Sequence, residues 1–336
     1  MKNDVLRRKE HEAVRKGVGY YDFTHQVLDV KGKDAATFLD KVFVNDIKNM
    51  KEGHALYTTM LNEDGKIIDD VIVFRLEENK FLISTLYIDK MIKWFDKFKD
   101  GCDLDYKDIT SKLTMFAIQG PKSKDLVNKI VDKDISSMKF FTIDENTVDD
   151  LDIMVARAGF TGELGYELYV EIDKKEKLEE KIKKAGEEFG LVNITTDVII
   201  GSLPGEKGYV LMSDLEGTNP LEVGYGFTVH WDSDFIGKDA LLKAKGNIKR
   251  DLFGFELDGE AEVEAGNPVF CDGKEIGKVT KFTYGYTLEK FIGYCLIEKD
   301  FAVEGKVVEI KTKSGNAKAK LCDRVFYDKE NERVRG

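Results

Sequence analysis

The sequence predicts an α+β protein of two or three domains that ends in a small all-β barrel. Three observations carry this reading. At 336 residues the chain is too long for one comfortable hydrophobic core. Between residues 55 and 118 it is dominated by β-rich runs, with one amphipathic helix inside and others on both sides. Beyond about residue 250 it turns into short strands with glycine turns, the pattern of a small barrel.

The elements follow in order. A helix runs from Asp4 to about Lys16 and stops at Gly17. A strand then enters a turn, and a second helix from Asp34 to about Val42 carries Ala35, Phe38, Leu39 and Val42 as its apolar stripe. The runs A-L-Y-T-T-M, K-I-I-D-D-V-I-V-F-R, K-F-L-I-S-T-L and L-T-M-F-A-I-Q read as strands separated by N-E-D-G and E-E-N turns. Ile88, Met91, Ile92, Phe95 and Phe98 mark the helix that interrupts them. After Pro121, which suits a first helical turn, Leu126, Val127, Ile130 and Val131 form another stripe. A further helix spans Lys174 to Phe189 and closes at Gly190.

Composition excludes several function classes. A formal charge of -11 and a pI near 5.1 argue against general binding of nucleic acid or anionic membrane. No apolar run approaches the roughly 18 residues of a membrane span, and M-K-N-D-V-L-R-R-K-E lacks a signal peptide's apolar core, so a cytoplasmic protein is expected. Cys102, Cys271, Cys295 and Cys322 show no C-x-x-C spacing, and the four histidines are scattered, so neither a disulfide framework nor a metal site is expected.

Two segments carry candidate chemistry. In R-A-G-F-T-G-E-L-G-Y-E, residues 157 to 167, glycines 159, 162 and 165 permit positive φ or close backbone approach in a turn that delivers Glu167 onto a strand. From alternation alone Glu167 lies on the polar, solvent-facing side of that strand. In I-I-D-D-V-I-V-F, residues 67 to 74, Asp69 shares a face with Ile67, Val71 and Val73, and Asp70 with Ile68, Ile72 and Phe74. Both faces are apolar, so at least one carboxylate is expected in a packed or cleft-lining place where its pKa rises. A strand that starts later would instead leave both near the mouth of the N-E-D-G-K turn. Asp70 is the best unaided candidate for acid/base or electrostatic work.

These segments resemble the folate-dependent aminomethyltransferase family typified by the glycine-cleavage T-protein. G-F-T-G-E-L-G-Y-E is similar to the family's G-Y-T-G-E-x-G-[FY]-E, and G-H-A-L-Y-T-T-M-L-N-E-D-G-K-I-I-D-D-V-I-V to its G-x-A-x-Y-x-x-M-x-N-x-x-G-G-I-I-D-D-L-I-V. Further matches lie at E-H-E-A-V-R-K-G-V-G-Y-Y-D-F-T-H, Q-G-P-K-S, N-P-L-E-V-G and D-F-I-G-K-D-A-L, in the family's order. The resemblance implies a three-domain ring of antiparallel sheets and a C-terminal β-barrel: a discontinuous folate-binding domain of residues 1–50 and 140–248, an inserted sheet domain of 51–139, and a barrel of 249–336. It implies tetrahydrofolate as cofactor, Asp70 as the catalytic carboxylate beside the folate nitrogens, and Glu167 as the pterin anchor. Tyr57, Phe160 and Ser84 fall on folate-lining positions, although spacing alone reads both aromatics as core.

Departures from the family pattern accompany the matches. The family arginine of L-R-L-E-x-G-Y is Pro204, the family asparagine aligned with Ser84 is a serine, and the methionine after S-H is Gln26; the resemblance also leads us to expect most of the family's leader to be absent. V-T-K-F-T-Y-G-Y-T-L-E-K replaces V-T-S-G-x-x-S-P and is more similar to the family's dimethylglycine, sarcosine and sulfoniopropionate-demethylating members. K-G-Y-V-L-M-S-D lacks the cysteine of the iron–sulfur-assembly branch. The implied function is tetrahydrofolate-dependent transfer of a methyl or aminomethyl group from a methylated amine or sulfonium, or from an aminomethyl donor on a lipoyl carrier protein, with the small molecule favoured. A folate-binding regulatory protein without turnover is the alternative.

Overall fold

The computed structural model describes residues 1–23 and 26–336. It is α+β, with two sheets and a closed barrel. The first sheet has six strands in the order Val192–Asn193, Gly19–Phe23, Leu113–Gln119, Gly165–Glu171, Leu151–Ala156 and Ile143–Val148. Its pairings are antiparallel except the short parallel one of Val192–Asn193 with Gly19–Phe23. The second has five, His54–Leu61, Ile67–Glu77, Lys80–Thr85, Gln26–Lys31 and Asp105–Asp108, all antiparallel. The barrel closes through Arg250–Leu257, Lys290–Glu298, Lys274–Gly285, Pro268–Cys271, Val307–Thr312 and Gly315–Cys322.

Sheet membership departs from the residue boundaries expected for the inserted unit, 51–139. Gln26–Lys31 pairs with Lys80–Thr85 and Asp105–Asp108, so the second sheet recruits a strand well before residue 51. Leu113–Gln119 lies inside the expected insert yet sits in the middle of the first sheet. The cause is burial. Leu28 and Val30 pack with Phe81 and Ile83, whereas Phe116 and Ile118 pack with Tyr20, Tyr166 and Leu168.

Each sheet has one face under helices. Val5–Lys16 begins at Asp4, whose carboxylate accepts the Arg7 N–H at 3.0 Å, and ends at Gly17. Ala35–Val42 and Ile88–Phe98 bury Phe38, Leu39, Met91 and Phe95 against the second sheet. Ser123–Ile130 and Lys175–Gly186 bury Leu126, Val127, Leu178 and Ile182 against the first. The remaining faces meet each other: Val27, Ala55, Phe74 and Leu82 of the second sheet pack with Met115, Ala117, Ala156 and Tyr169 of the first. Phe74 and Tyr169 meet edge-on at 5.9 Å. No helix among the described residues is long and apolar enough to cross a membrane.

A buried polar network ties the barrel to the rest. The Arg15 guanidinium donates to Glu206 at 3.0 Å and to Glu163 at 3.2 Å, and lies 4.0 Å over the Tyr327 ring. Glu206 also accepts the Thr287 N–H at 2.7 Å and lies 3.2 Å from His11 Nε2. Burial works against the Glu206 charge, and the contacts to His11, Arg15 and Thr287 more than offset it. Its members come from the N-terminal helix, the glycine-rich turn, the short helix Leu203–Lys207 and the barrel turn after Gly285.

Candidate active site

The glycine-rich turn owes its shape to Gln119. Gly159 and Gly165 lie against that side chain so closely that a Cβ would come within 2.0 Å of it at Gly159 and 2.3 Å at Gly165. Gln119 is held in turn, donating to the Ala158 carbonyl at 3.2 Å and accepting from the Thr161 hydroxyl at 2.8 Å. Gly162 adopts φ +76, which favours glycine. These constraints fix the entry of Gly165–Glu171 and therefore the face that Glu167 presents.

That face is not the solvent side. Glu167 is 7% exposed, which corrects the expectation from alternation: the side of the strand opposite Tyr166 and Leu168 meets the second sheet instead of water. Ala117 and Ala156 stand directly across from Glu167 on the flanking strands, so small neighbours leave room beside its carboxylate. The Tyr169 hydroxyl donates to Oε2 at 2.9 Å. Burial pushes the Glu167 carboxyl up to about 7, with the Tyr169 hydrogen bond pulling the other way.

The paired aspartates separate onto opposite faces, with the strand starting at Ile67. Asp69 is fully buried, accepts the Thr85 hydroxyl at 2.7 Å and the Asp70 N–H at 2.9 Å, and is pushed by burial up to about 7. Asp70 lies across from Thr59 on the face that meets the first sheet, and remains partly exposed. The Tyr57 hydroxyl donates to it at 3.1 Å. Burial pushes the Asp70 carboxyl up to about 6, the Tyr57 hydrogen bond opposes this, and the Asp214 charge adds to it.

Around Asp70 the structure assembles residues that the motifs passed over. Tyr57 meets Tyr225 edge-on at 5.3 Å, and the Arg324 guanidinium lies 5.1 Å over the Tyr225 ring. Arg324 is fixed by the carbonyls of Gly208, at 3.1 Å, and Val223. The Asp214 charge also acts on Asp70, and Asp214 faces the Lys281 ammonium at 3.6 Å. Tyr225 follows N-P-L-E-V-G directly, so its neighbourhood was legible. Arg324 lies at the far end of the chain in a segment without a motif.

The other sequence candidates divide. Ser84 is buried directly across from Ile72 on one side and Val27 on the other, in the row that continues to Tyr57. Phe160 stacks on Tyr209, with 5.4 Å between ring centres. The end of the N-terminal match, Thr24 and His25, lies outside the described residues. Pro204 is buried in Leu203–Lys207, directly after the wide turn Asp197–Ser202, whose i→i+5 spacing makes room for a ring that lacks an N–H. Its carbonyl accepts the Tyr209 N–H at 3.0 Å and the Tyr294 hydroxyl at 3.2 Å.

Gln26 has a structural task. Its side-chain carbonyl accepts the Ile88 N–H at 2.9 Å, satisfying a donor that the start of Ile88–Phe98 would otherwise leave open. Gln26→Met, the family residue, is expected to lower unfolding stability by about 1 kcal/mol with turnover retained. Urea melts and an activity assay of the same preparation check both halves.

Comparison with known proteins agrees with this architecture. Residues 3–233 match the GCVT N-terminal domain and residues 250–328 the glycine cleavage T-protein C-terminal barrel domain. A protein named aminomethyltransferase from Caldanaerobacter subterraneus subsp. tengcongensis is 37% identical over 328 residues, covering 95% of this chain and 87% of its own length. One of the same name from Clostridium botulinum is 37% identical over 332 residues, covering 96% of this chain and 90% of its own. The crystal structure of glycine cleavage system aminomethyltransferase T from Bartonella henselae aligns with a TM-score of 0.88 over 96% of this chain and 90% of that one; at 23% identity the likeness is one of fold. Matched in both its domains and across nearly its whole length, the chain belongs to the glycine cleavage T-protein family of aminomethyltransferase enzymes.

Proposed function

We propose that the protein transfers an aminomethyl-derived one-carbon unit to tetrahydrofolate, with Glu167 holding the pterin and Asp70 serving the reacting nitrogen. The observation that carries this reading is the pair of desolvated carboxylates on the two sheet faces that meet, Glu167 from the first and Asp70 from the second. Neither forms an ion pair with a cation among the described residues. A buried carboxylate flanked by Ala117 and Ala156 suits a flat ring whose edge offers adjacent N–H donors, because one planar acceptor takes two donors at once. The residues present therefore fit the cofactor.

Tetrahydrofolate, when bound, supplies the nucleophilic nitrogen that accepts the one-carbon unit. The protein's share is positional and protonic. Tyr57 holds Asp70 by the 3.1 Å hydrogen bond, and a carboxyl near 6 exchanges a proton readily close to neutral pH. Phe160, stacked on Tyr209, and Tyr57 offer apolar ring surface, and Ser84 a hydroxyl in the same row as Tyr57.

The relatives' name supports an aminomethyl donor, and the family resemblance suggests that a lipoyl carrier protein brings it. The demethylase-like segment Y-G-Y-T-L-E-K gives the small-molecule alternative no structural support. Tyr286 packs on His11, and Thr287 binds Glu206 and His11 in the buried network, so both are used in joining the barrel to the N-terminal helix. Ammonia release and methylene-tetrahydrofolate formation from an aminomethyl-lipoyl carrier are expected to exceed methyl transfer from methylated amines or sulfoniums. Brisk turnover of a methylated donor, with none from the carrier, would reverse the assignment.

A further inference from the structure

One buried cation, paired with Asp214, has no part in the reading above. Lys281 lies on the barrel strand Lys274–Gly285, where the pairing with Lys290–Glu298 slips between Val279 and Lys281. Val279 faces the barrel core and so does Phe282; the extra residue at Thr280 lets Lys281 point the other way, as bulges characteristically do beside functional sites. Its ammonium donates to the Tyr209 carbonyl at 3.1 Å, lies 5.1 Å over the Tyr294 ring, and faces the Asp214 carboxylate at 3.6 Å. The side chain is only 10% exposed. A buried lysine is costly unless a nearby charge requires it.

Asp214 is that charge. It belongs to the helical turn Met212–Leu215, which contacts the strand of Asp70. Its Oδ2 accepts the Leu211 N–H at 3.0 Å, while its buried Oδ1 has no hydrogen-bond partner. Lys281 provides its one ion pair among the described residues. We propose that Lys281 is a positioning residue of the reaction: turned onto Asp214 by the bulge, its ammonium sets the net charge that Asp70 faces. This rests on the role given to Asp70 above.

Of the remaining groups around Asp70, none pairs with Asp214 among the described residues. On its own strand Asp69 points to the opposite face and is held by Thr85. From the next strand Tyr57 offers a neutral hydroxyl. Tyr225 stands behind Tyr57, and Arg324, over the Tyr225 ring, keeps its charge while donating to the neutral carbonyls of Gly208 and Val223 but makes no ion pair with Asp214 among the described residues. Asp214 adds negative charge that raises the proton affinity of Asp70; in this proposal Lys281, paired with Asp214, offsets it.

The test is a titration of the Asp70 carboxyl carbon by NMR in the full-length protein, its signal assigned through Asp70→Asn. Asp214→Asn removes the negative charge and leaves Lys281 unbalanced, so the Asp70 midpoint is expected to fall by about one unit, the ordinary spread of such values among folded proteins. Lys281→Met removes the balancing cation, so the midpoint is expected to rise. The double variant is expected to return near the parent, and Lys281→Arg to stay there, provided thermal melts show each folded. An Asp70 midpoint unmoved in both single variants overturns the proposal. The acid limb of folate-dependent turnover is expected to move with the midpoint. Shifted midpoints with an unmoved limb would instead overturn the role of Asp70 in the reaction, and with it the place of Lys281 there.

Discussion

Asp70→Asn is expected to fold normally and to lose turnover by about a hundredfold to ten-thousandfold, the range for a positioned acid/base group. Asparagine keeps the volume and the Tyr57 hydrogen bond but carries no exchangeable charge. The parent adds a pH signature. Burial pushes the Asp70 carboxyl up to about 6, so the fraction of carboxylate drops as pH falls through 6, and turnover should drop with it. In Asp70→Asn that acid limb should disappear from the residual activity. Asp69→Asn is the control. Asp69 is sealed in the core against Thr85 and touches no open space, so its replacement should alter stability more than rate. If Asp69→Asn abolished activity while Asp70→Asn did not, the two carboxylates would have to exchange roles.

The separation of those two aspartates shows what a single sequence reveals. Strand periodicity placed Asp69 and Asp70 on opposite faces, both apolar, and each carboxylate is indeed desolvated. The same periodicity misplaced Glu167, because alternation reports which residues differ in polarity and not what covers the polar side. Here a second sheet covers it. Helix limits were legible because their signals are local, as at Asp4 and Gly190. Sheet membership was not: nothing near Gln26–Lys31 announces that its partners are Lys80–Thr85 and Asp105–Asp108. The Asp70 surroundings illustrate the same limit, since Tyr57, Asp214, Lys281 and Arg324 come from four distant segments. Their meeting is a property of the assembled units, and the bulge at Thr280 turns Lys281 off the barrel core and onto Asp214.

Glu167→Gln is expected to make the protein more stable and less able to bind folate. Burial pushes the Glu167 carboxyl up to about 7 from an ordinary 4.5, so the folded state holds its proton more tightly than the unfolded chain does. The sign follows from linkage: stability is lost as pH rises from about 4.5 through 7, and above that the charge costs roughly 3 kcal/mol. Glutamine removes this cost. At pH 8 urea melts should therefore show a gain approaching about 3 kcal/mol, while at pH 4 the two proteins should differ little. Tetrahydrofolate affinity should move the other way, weakening by about 1.5 to 3 kcal/mol, the scale of a charge-assisted hydrogen bond. In the parent, affinity should also weaken as pH falls below about 7 and the carboxylate takes up its proton. A buried, unpaired carboxylate that costs stability is explained by a ligand that needs it. Calorimetry at pH 8 decides the matter: equal folate affinity in the two proteins, or no binding by either, would remove Glu167 from the pterin site.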